Sequence, residues 1–261
     1  MTATKETVDK MAKTERADSL LVSQGLCDTR EQAKRLIMAG EVLNGTAQIA
    51  KPSTKLPLDA QLVVKNKPKY VSRAGHKLEG ALEAFPIKVE GITAIDIGSS
   101  TGGFTDCLLQ NGAAKVHAVD VGTNQLVYKL RVDPRVVVKE QFNARYLEVE
   151  DLGEQVDLAV MDVSFISLTR IWPAAKRVLK PNGQLIALIK PQFELSKEEV
   201  SAGKGIVKDP ALHEKAIEKM RAFNETELGM QWIEVTDSPI TGTDGNKEFL
   251  VWLKMPDSPA V

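Results

Sequence analysis

Short apolar runs alternate with helix-favouring segments along most of the chain after residue 72. Seven runs have the composition of strands: TAIDIG, KVHAVDV, RVVVKEQ, DLAVMDV, QLIALIK, QWIEVTD and EFLVWLK. Continuous apolar strands that alternate with helices are typical of a parallel sheet covered by helices on both faces. The last two runs follow each other with only a Gly-rich turn between them, which predicts an antiparallel edge. The pattern therefore predicts an α/β fold with a seven-stranded, mostly parallel sheet.

The segments between these runs predict the helices of this domain, which we expect to span residues 72–261. One helix is predicted in SRAGHKLEGALEAF, with Ser72 as its N-terminal cap. Further helices are predicted over residues 104–110, 124–130, 166–179 and 211–228. The long charged segment of residues 195–210 is predicted to be either a lid or an irregular excursion.

A second, smaller unit of mixed helices and strands is predicted over residues 14–65. Thr29 followed by Gln32 is a helix-start pattern, and Gly40 is a helix stop. Asn44-Gly45 is a strong hairpin signal, and QLVVKNK is a closing strand. Residues 1–13 are predicted to be a flexible tail, and residues 66–71, with a proline and two lysines, a linker.

Composition limits the class and location of the protein. The chain has 261 residues, 43% of them apolar, which is ordinary for a globular protein. Only Cys27 and Cys107 occur, so neither a disulfide framework nor a cysteine-rich zinc site is expected, and no other metal is predicted. No segment has the length and hydrophobicity of a signal peptide or of a membrane span. We therefore expect a cytoplasmic protein that does not enter a membrane.

Charge is unevenly divided along the chain. Residues 1–80 contain 14 basic and 9 acidic side chains, while the remainder contains 20 basic and 26 acidic ones. A basic front on an acidic body favours contact of the front with a polyanion. The alternative interpretation of these charge counts is a basic surface that contacts only solvent.

The loop DIGSSTGGFTD, residues 96–106, follows the first strand of the sheet, where a nucleotide binds in such folds. It lacks the Lys-Ser/Thr ending of a phosphate-binding loop, and its glycines do not fit G-x-G-x-x-G. Asp96 can reach a polar group of the ligand, and Asp120 ends the next strand, where an acid takes ribose hydroxyls. The spacing is that of S-adenosylmethionine methyltransferases. The alternative is a similar loop that binds another ligand.

The methyl acceptor is indicated by four charged residues near the ends of elements: Lys77, Asp162, Lys190 and Glu248. Neither cysteine has the context that methylation of a base carbon requires, and the motif typical of amine methylation is absent. A ribose hydroxyl needs a base and charges that stabilise the developing alkoxide. Lys190 is our candidate base, with Asp162 to orient it. Each of these residues alone is more often a surface charge or part of a structural ion pair.

The chain resembles the TlyA, or hemolysin-A-like, family, in which an S4 RNA-binding domain precedes a Rossmann-like, FtsJ/RrmJ-type ribose methyltransferase domain. The resemblance covers residues 16–253 and rests on VSRAGHKL, DIGSSTGGFTD, DVGTNQL, DPRVVV, NAR, DVSFISL, KPQFE and GNKEF. It implies 2′-O-methylation of cytidine in ribosomal RNA by the tetrad Lys77, Asp162, Lys190 and Glu248. It also implies cofactor contacts from Asp96, Gly98, Ser99, Gly102, Gly103, Phe104, Asp120, Asn143 and Asp162.

Basic residues of the small unit and the linker are candidate RNA contacts: Arg30, Lys34, Arg35, Lys65, Lys67, Lys69 and Arg73. The expected partner is ribosomal RNA or a ribosomal subunit. Two other functions stay open at this point. One is an RNA-binding assembly factor that only senses the cofactor. The other is the membrane lysis that the name hemolysin suggests, which the sequence does not favour because it lacks an export signal and a membrane span.

Overall fold

The structure, a computed structural model, describes residues 13–27, 29–65, 68–242 and 244–256. The chain forms two compact units, Met1–Lys69 and Tyr70–Val261. Lys67 and all of the predicted tail except Lys13 lie outside the described residues. Tyr70, which we assigned to the linker, is only 3% exposed and packs in the core of the second unit, so this unit begins before the predicted Ser72.

The first unit combines two helices with short strands: β1 (Thr14–Arg16), α1 (Ala17–Ser23), α2 (Arg30–Met38), β2 (Val42–Asn44), β3 (Ala47–Gln48), β4 (Lys55–Pro57) and β5 (Leu62–Val64). The Thr29 side chain accepts a hydrogen bond from the Gln32 amide (3.2 Å) and caps α2, as predicted. A two-residue turn at Gly45 and Thr46 joins β2 to β3, and β5 pairs with β2. The predicted hairpin and closing strand are therefore confirmed.

The second unit contains one seven-stranded sheet with the order β11-β12-β10-β9-β6-β7-β8. Its strands are β6 (Thr93–Ile97), β7 (Lys115–Val119), β8 (Val136–Lys139), β9 (Val156–Met161), β10 (Leu179–Ile189), β11 (Gln231–Asp237) and β12 (Phe249–Lys254). Strands β6 to β10 are parallel, while β12 is antiparallel to both β10 and β11. The predicted strands and the antiparallel edge are confirmed.

Helices cover both faces of this sheet. They are α3 (Ala74–Ala84), α4 (Gly103–Gln110), α5 (Tyr128–Arg131), α6 (Val149–Leu152), α7 (Trp172–Val178), α8 (Pro191–Glu194), α9 (Lys197–Ala202) and α10 (Pro210–Phe223). Alternate residues of the strands enter two different cores: Ala159 and Met161 pack with Trp172, while Leu158 and Val160 lie in the core that contains Leu78. Because side chains alternate along a strand, this division is expected of a sheet buried on both faces.

Three predicted helices are shorter than expected. The helix predicted over residues 211–228 ends at Phe223 and is followed by a π-helical turn (Asn224–Leu228). Over residues 124–130, only the last turn, α5, is helical: Asn124 has a φ of +52°, and the Glu140 carboxylate accepts the backbone N–H groups of Asn124 (2.8 Å) and Gln125 (3.1 Å). Over residues 166–179, a 3₁₀ turn (Leu168–Arg170) precedes α7, and Leu179 already belongs to β10.

One local prediction was also wrong, and an irregular course of the whole segment 195–210, one of two alternatives, is not found. Ser72 does not cap α3, since Arg73 occupies the N-cap position and no side chain caps the helix. The segment 195–210 is not irregular throughout: Ser196 and Glu199 form a capping box that starts α9. Both ends of α9 nevertheless lie in loops.

Candidate active site

Four charged side chains meet at the edge of the sheet where the parallel strands end. Asp162 follows β9 and Lys190 follows β10, while Glu248 precedes the antiparallel β12, whose Phe249 is paired with Ile189. Lys77 enters from α3. Neighbouring strands therefore bring together residues that are far apart in the sequence.

The four residues form a chain of ion pairs. Lys190 Nζ lies 2.5 Å from Asp162 Oδ1, and Lys77 Nζ lies 2.6 Å from Glu248 Oε2 and 3.5 Å from Asp162 Oδ2. Their side chains are between 3% and 14% exposed. Two ammonium groups and two carboxylates balance in charge, which allows their burial. Ion pairs this close fix the position of each nitrogen.

Ser164 extends this cluster and was missed as a site residue by the sequence analysis. Its hydroxyl accepts a hydrogen bond from Lys190 Nζ (2.9 Å), so that this ammonium contacts two side chains of the segment after β9. The neighbouring Phe165 is 91% exposed, has a φ of +63° and stacks at 5.2 Å from the Phe193 ring. The sequence signal that could have identified Ser164 and Phe165 is their position directly after a strand, within the quoted motif DVSFISL.

A cavity of about 800 Å³ opens onto the four charged residues and the glycine-rich loop. All of its lining residues belong to the second unit. Asp96 lies in its wall and is fully buried. Thr105 donates two hydrogen bonds to Asp96 Oδ2, from its amide (2.9 Å) and its hydroxyl (2.7 Å). Asp96 Oδ1 has no partner among the described residues. Burial raises the pKa of this carboxyl to about 7, although the bonds from Thr105 oppose the shift.

The predicted loop contacts do not all face this cavity. Gly98, Ser99, Gly103 and Phe104 line it, but Gly102 does not. A Cβ at Gly98, where φ is +83°, would lie 3.0 Å from the carbonyl oxygen of Asp162, so the loop approaches the segment after β9 closely. At Gly103 a Cβ would collide with α3, which makes this glycine a packing requirement as well.

A second cavity of about 560 Å³ shares Gly98, Ser100 and Asp162 with the first. Asp120 and Asn143, both predicted cofactor contacts, line it. Asp120 accepts hydrogen bonds from the backbone amides of Ser100 (2.8 Å) and Gly122 (2.7 Å). Apolar side chains form much of the wall: Ile97, Val119, Val121, Phe142, Val163, Ile166 and Ile171. The two cavities together offer an apolar compartment beside a charged one.

Basic residues of the first unit cluster around one buried carboxylate. Arg16 donates to both oxygens of Asp18 (2.9 and 2.8 Å), and Arg30 donates to Oδ2 (3.2 Å). The hydrogen bonds from Arg16, together with that from Arg30, lower the pKa of Asp18 to about 2, against an opposing effect of burial. Arg16 was missed because it precedes the predicted helices.

The other predicted RNA contacts are spread over both units. Lys34 pairs with Glu31 (3.0 Å), and Arg35, Lys65 and Lys69 are exposed on the first unit. Arg73 belongs to the second unit, lines the larger cavity and donates to the Thr241 carbonyl (3.1 Å). The candidate set is therefore divided between the two units.

Neither a metal site nor a membrane span is found in the part of the chain that the structure describes. No group of three or more His, Cys, Asp or Glu side chains there is arranged to hold a metal ion. None of the described helices combines the length and hydrophobicity that crossing a membrane requires.

Comparison with known proteins defines the class of this site. The family model of FtsJ-like methyltransferases matches residues 70–255, and that of the S4 domain matches residues 15–62. The chain belongs to the FtsJ-like methyltransferase family and carries an S4 domain in front of the methyltransferase domain.

Similarity to individual proteins places the chain more closely within this family. The chain is 45% identical over 94% of its length to the Mycobacterium tuberculosis 16S/23S rRNA (cytidine-2'-O)-methyltransferase TlyA, of which it covers 91%. It is 44% identical over 90% of its length to Hemolysin A of Brachyspira hyodysenteriae, covering 98% of that protein. A solved structure from Streptococcus thermophilus shares 49% identity at a TM-score of 0.70, over 95% of this chain and 90% of that one. The resemblance to TlyA and hemolysin A is therefore confirmed.

Proposed function

We propose that the protein transfers the methyl group of S-adenosylmethionine to the ribose 2′-hydroxyl of a cytidine in ribosomal RNA. The observation that carries this proposal is the cluster of two lysines and two carboxylates in a cavity that also borders the glycine-rich loop. Family membership supports methyl transfer, and the activity in the name of the Mycobacterium tuberculosis relative supports the acceptor.

The residues around the two cavities fit S-adenosylmethionine. The unpartnered, buried Asp96 Oδ1 offers an acceptor for an ammonium group such as that of the methionine part. Asp120 borders the apolar compartment and could hold ribose hydroxyls, while that compartment suits an adenine ring. Gly98 and Ser99 line the larger cavity with the loop backbone, and Asn143 lines the second cavity. When bound, the cofactor supplies an electrophilic methyl group.

Lys190 is the proposed base. Its Nζ contacts Asp162 and Ser164, which fix the position of the nitrogen. After the ammonium has released one proton to solvent, the neutral amine can take the proton of an approaching hydroxyl. Lys77 lies on the other side of Asp162 and is oriented by Glu248. This second ammonium would stabilise the negative charge that develops on the oxygen as the proton leaves.

We propose that the first unit binds the RNA. Arg16 and Arg30 share one buried carboxylate, which holds both guanidinium groups in place while leaving them about half exposed. Arginines oriented in this way can bind phosphate oxygens. We propose that Lys34, Arg35, Lys65, Lys67, Lys69 and Arg73 contribute further contacts. We propose a cytoplasmic location, because the similar rRNA methyltransferase is bacterial and bacterial ribosomes lie in the cytoplasm.

The test is methyl transfer from tritiated S-adenosylmethionine to ribosomal subunits from a strain deleted for this gene. Digestion of the RNA should place the label in 2′-O-methylcytidine. Label on a base would contradict the assignment of the hydroxyl. Saturable cofactor binding without any transfer would favour the assembly-factor function instead.

Replacing Lys190 by Ala should reduce transfer at least a hundredfold, because the hydroxyl loses its base. The dissociation constant of S-adenosylmethionine, measured by calorimetry without RNA, should stay within about threefold. The matched control is Lys88→Ala, which removes an exposed lysine of the same unit outside the two cavities of the site. A fully active Lys190→Ala enzyme would exclude Lys190 as the base.

A further inference from the structure

Gln192 lies beside the larger cavity and has an amide oxygen without a hydrogen-bond partner among the described residues. It lies in α8, two residues after Lys190, and lines the cavity. Its amide oxygen is buried and accepts no hydrogen bond from any other described residue. A buried acceptor without a partner is unfavourable, and such groups are rare in folded proteins. A turn of this side chain toward the cavity would allow a ligand to supply the missing hydrogen bond.

The topology places Gln192 away from the loop proposed to hold the cofactor. The sheet order is β10-β9-β6, so the segment after β10, which carries Gln192, is separated by β9 from the loop after β6, which carries Asp96. Lys190, the proposed base, is on the same side as Gln192. The ligand group nearest to Gln192 is thus expected to belong to the methyl acceptor.

We propose that Gln192 hydrogen-bonds the base of the nucleotide whose ribose is methylated, and so helps to select that nucleotide. This inference rests on the proposed function. An amide offers an acceptor and donors side by side, which match the amino group and the N3 acceptor of a cytosine edge. Single-stranded or extruded bases are read through this edge. A neutral amide can do so without adding a charge beside the four ionised groups.

Two variants and one control test the assignment. Gln192→Ala removes the side chain, whereas Gln192→Met keeps its length and removes both hydrogen-bonding groups. The control, Gln231→Ala, removes an exposed glutamine of β11 that does not line the site. For each protein, kcat/KM is measured with ribosomal subunits, and the dissociation constant of S-adenosylmethionine is measured without RNA.

We expect both Gln192 variants to lose about ten- to a hundredfold in kcat/KM for RNA, with cofactor affinity within about twofold of the wild type. Unchanged kcat/KM in a folded Gln192→Met protein would overturn the proposal. So would a parallel loss of cofactor affinity, which would assign the amide to S-adenosylmethionine. Failure of the wild-type protein itself to label ribose would instead contradict the proposed function, and the two failures are therefore distinct.

Discussion

The two oxygens of the Asp96 carboxylate have different surroundings. Oδ2 is held by both donors of Thr105, while Oδ1 is buried against the cavity without a partner among the described residues. Burial raises the pKa of this group to about 7 from an ordinary value of 3.8, and the nearby Asp162 and Asp120 add to the rise. Its ionisation is therefore expected near neutral pH, where a bound ammonium would favour the charged form.

Between pH 4 and pH 7 the folded protein retains the Asp96 proton while the unfolded chain has released it. The contribution of Asp96 to the free energy of unfolding should therefore fall as the pH rises across this range. Affinity for S-adenosylmethionine should change in the opposite direction and rise about tenfold between pH 6 and pH 8, as the carboxylate ionises.

Calorimetry and chemical denaturation at several pH values measure both effects, and Asp96→Asn should remove both. Asp133→Asn is the control, because Arg135 lowers the pKa of Asp133 and its titration lies below this range. Cofactor affinity that is independent of pH in the wild type would argue against a contact from Asp96.

At the same scale, the sequence predicted which charged residues meet but not how they are held. Lys77, Asp162, Lys190 and Glu248 could be selected because element ends of a parallel sheet converge. Ser164 was missed although it lies directly after a strand end, because its contact with Lys190 depends on the path of a loop. Loop paths are set by tertiary contacts, which local patterns do not encode.

At the scale of elements, the start of α4 depends on one glycine. Gly102 is the N-cap of this helix, with a φ of +98°. A Cβ there would lie 2.7 Å from Leu126 and would also collide with Leu130. Although the family resemblance implied a cofactor contact, this glycine does not line either cavity of the site. Its role in the structure is to let the loop turn against α5.

Replacing Gly102 by Ala should therefore lower the free energy of unfolding by about 2–4 kcal/mol, from backbone strain plus overlap with two leucines. Gly91→Ala is a matched control, since Gly91 also has a positive φ (+77°) but no atom within 4 Å of its Cβ position. It should cost only about 1–2 kcal/mol. The free energies of unfolding are measured by urea denaturation. Equal losses in the Gly102→Ala and Gly91→Ala variants would show that backbone strain alone accounts for the effect at Gly102.

Elements differ in how far local sequence determines them. Strands β6, β7, β9, β10 and β12 were recognisable because continuous apolar runs mark strands buried on both faces. The helix expected over residues 124–130 failed at its start, where Asn124 has a φ of +52° and Glu140, from beyond the following strand, holds the amides of Asn124 and Gln125. Pattern reasoning misses such contacts between distant side chains and the backbone.

At the scale of the whole molecule, the net charge of residues 1–80 is positive and that of the remaining residues is negative. The S4 domain lies within the basic part. Binding to RNA through lysines and arginines releases counterions, so its affinity falls with salt in proportion to the number of phosphates that the protein neutralises. Removing a side chain that binds phosphate should therefore make the dependence on salt less steep. The acidic remainder contributes repulsion that weakens non-specific binding elsewhere on the surface.

Lys34→Gln combined with Arg35→Gln on α2 should weaken RNA binding about ten- to a hundredfold at low salt and reduce the salt slope by about one to two. The control is Lys51→Gln combined with Lys55→Gln, which removes the same charge from exposed positions of the same unit but away from α2. Binding is measured by filter retention of ribosomal RNA from about 50 to about 300 mM salt. If both double variants lose affinity equally, charge alone attracts the RNA. If only the α2 variant does, phosphates contact this helix at defined positions.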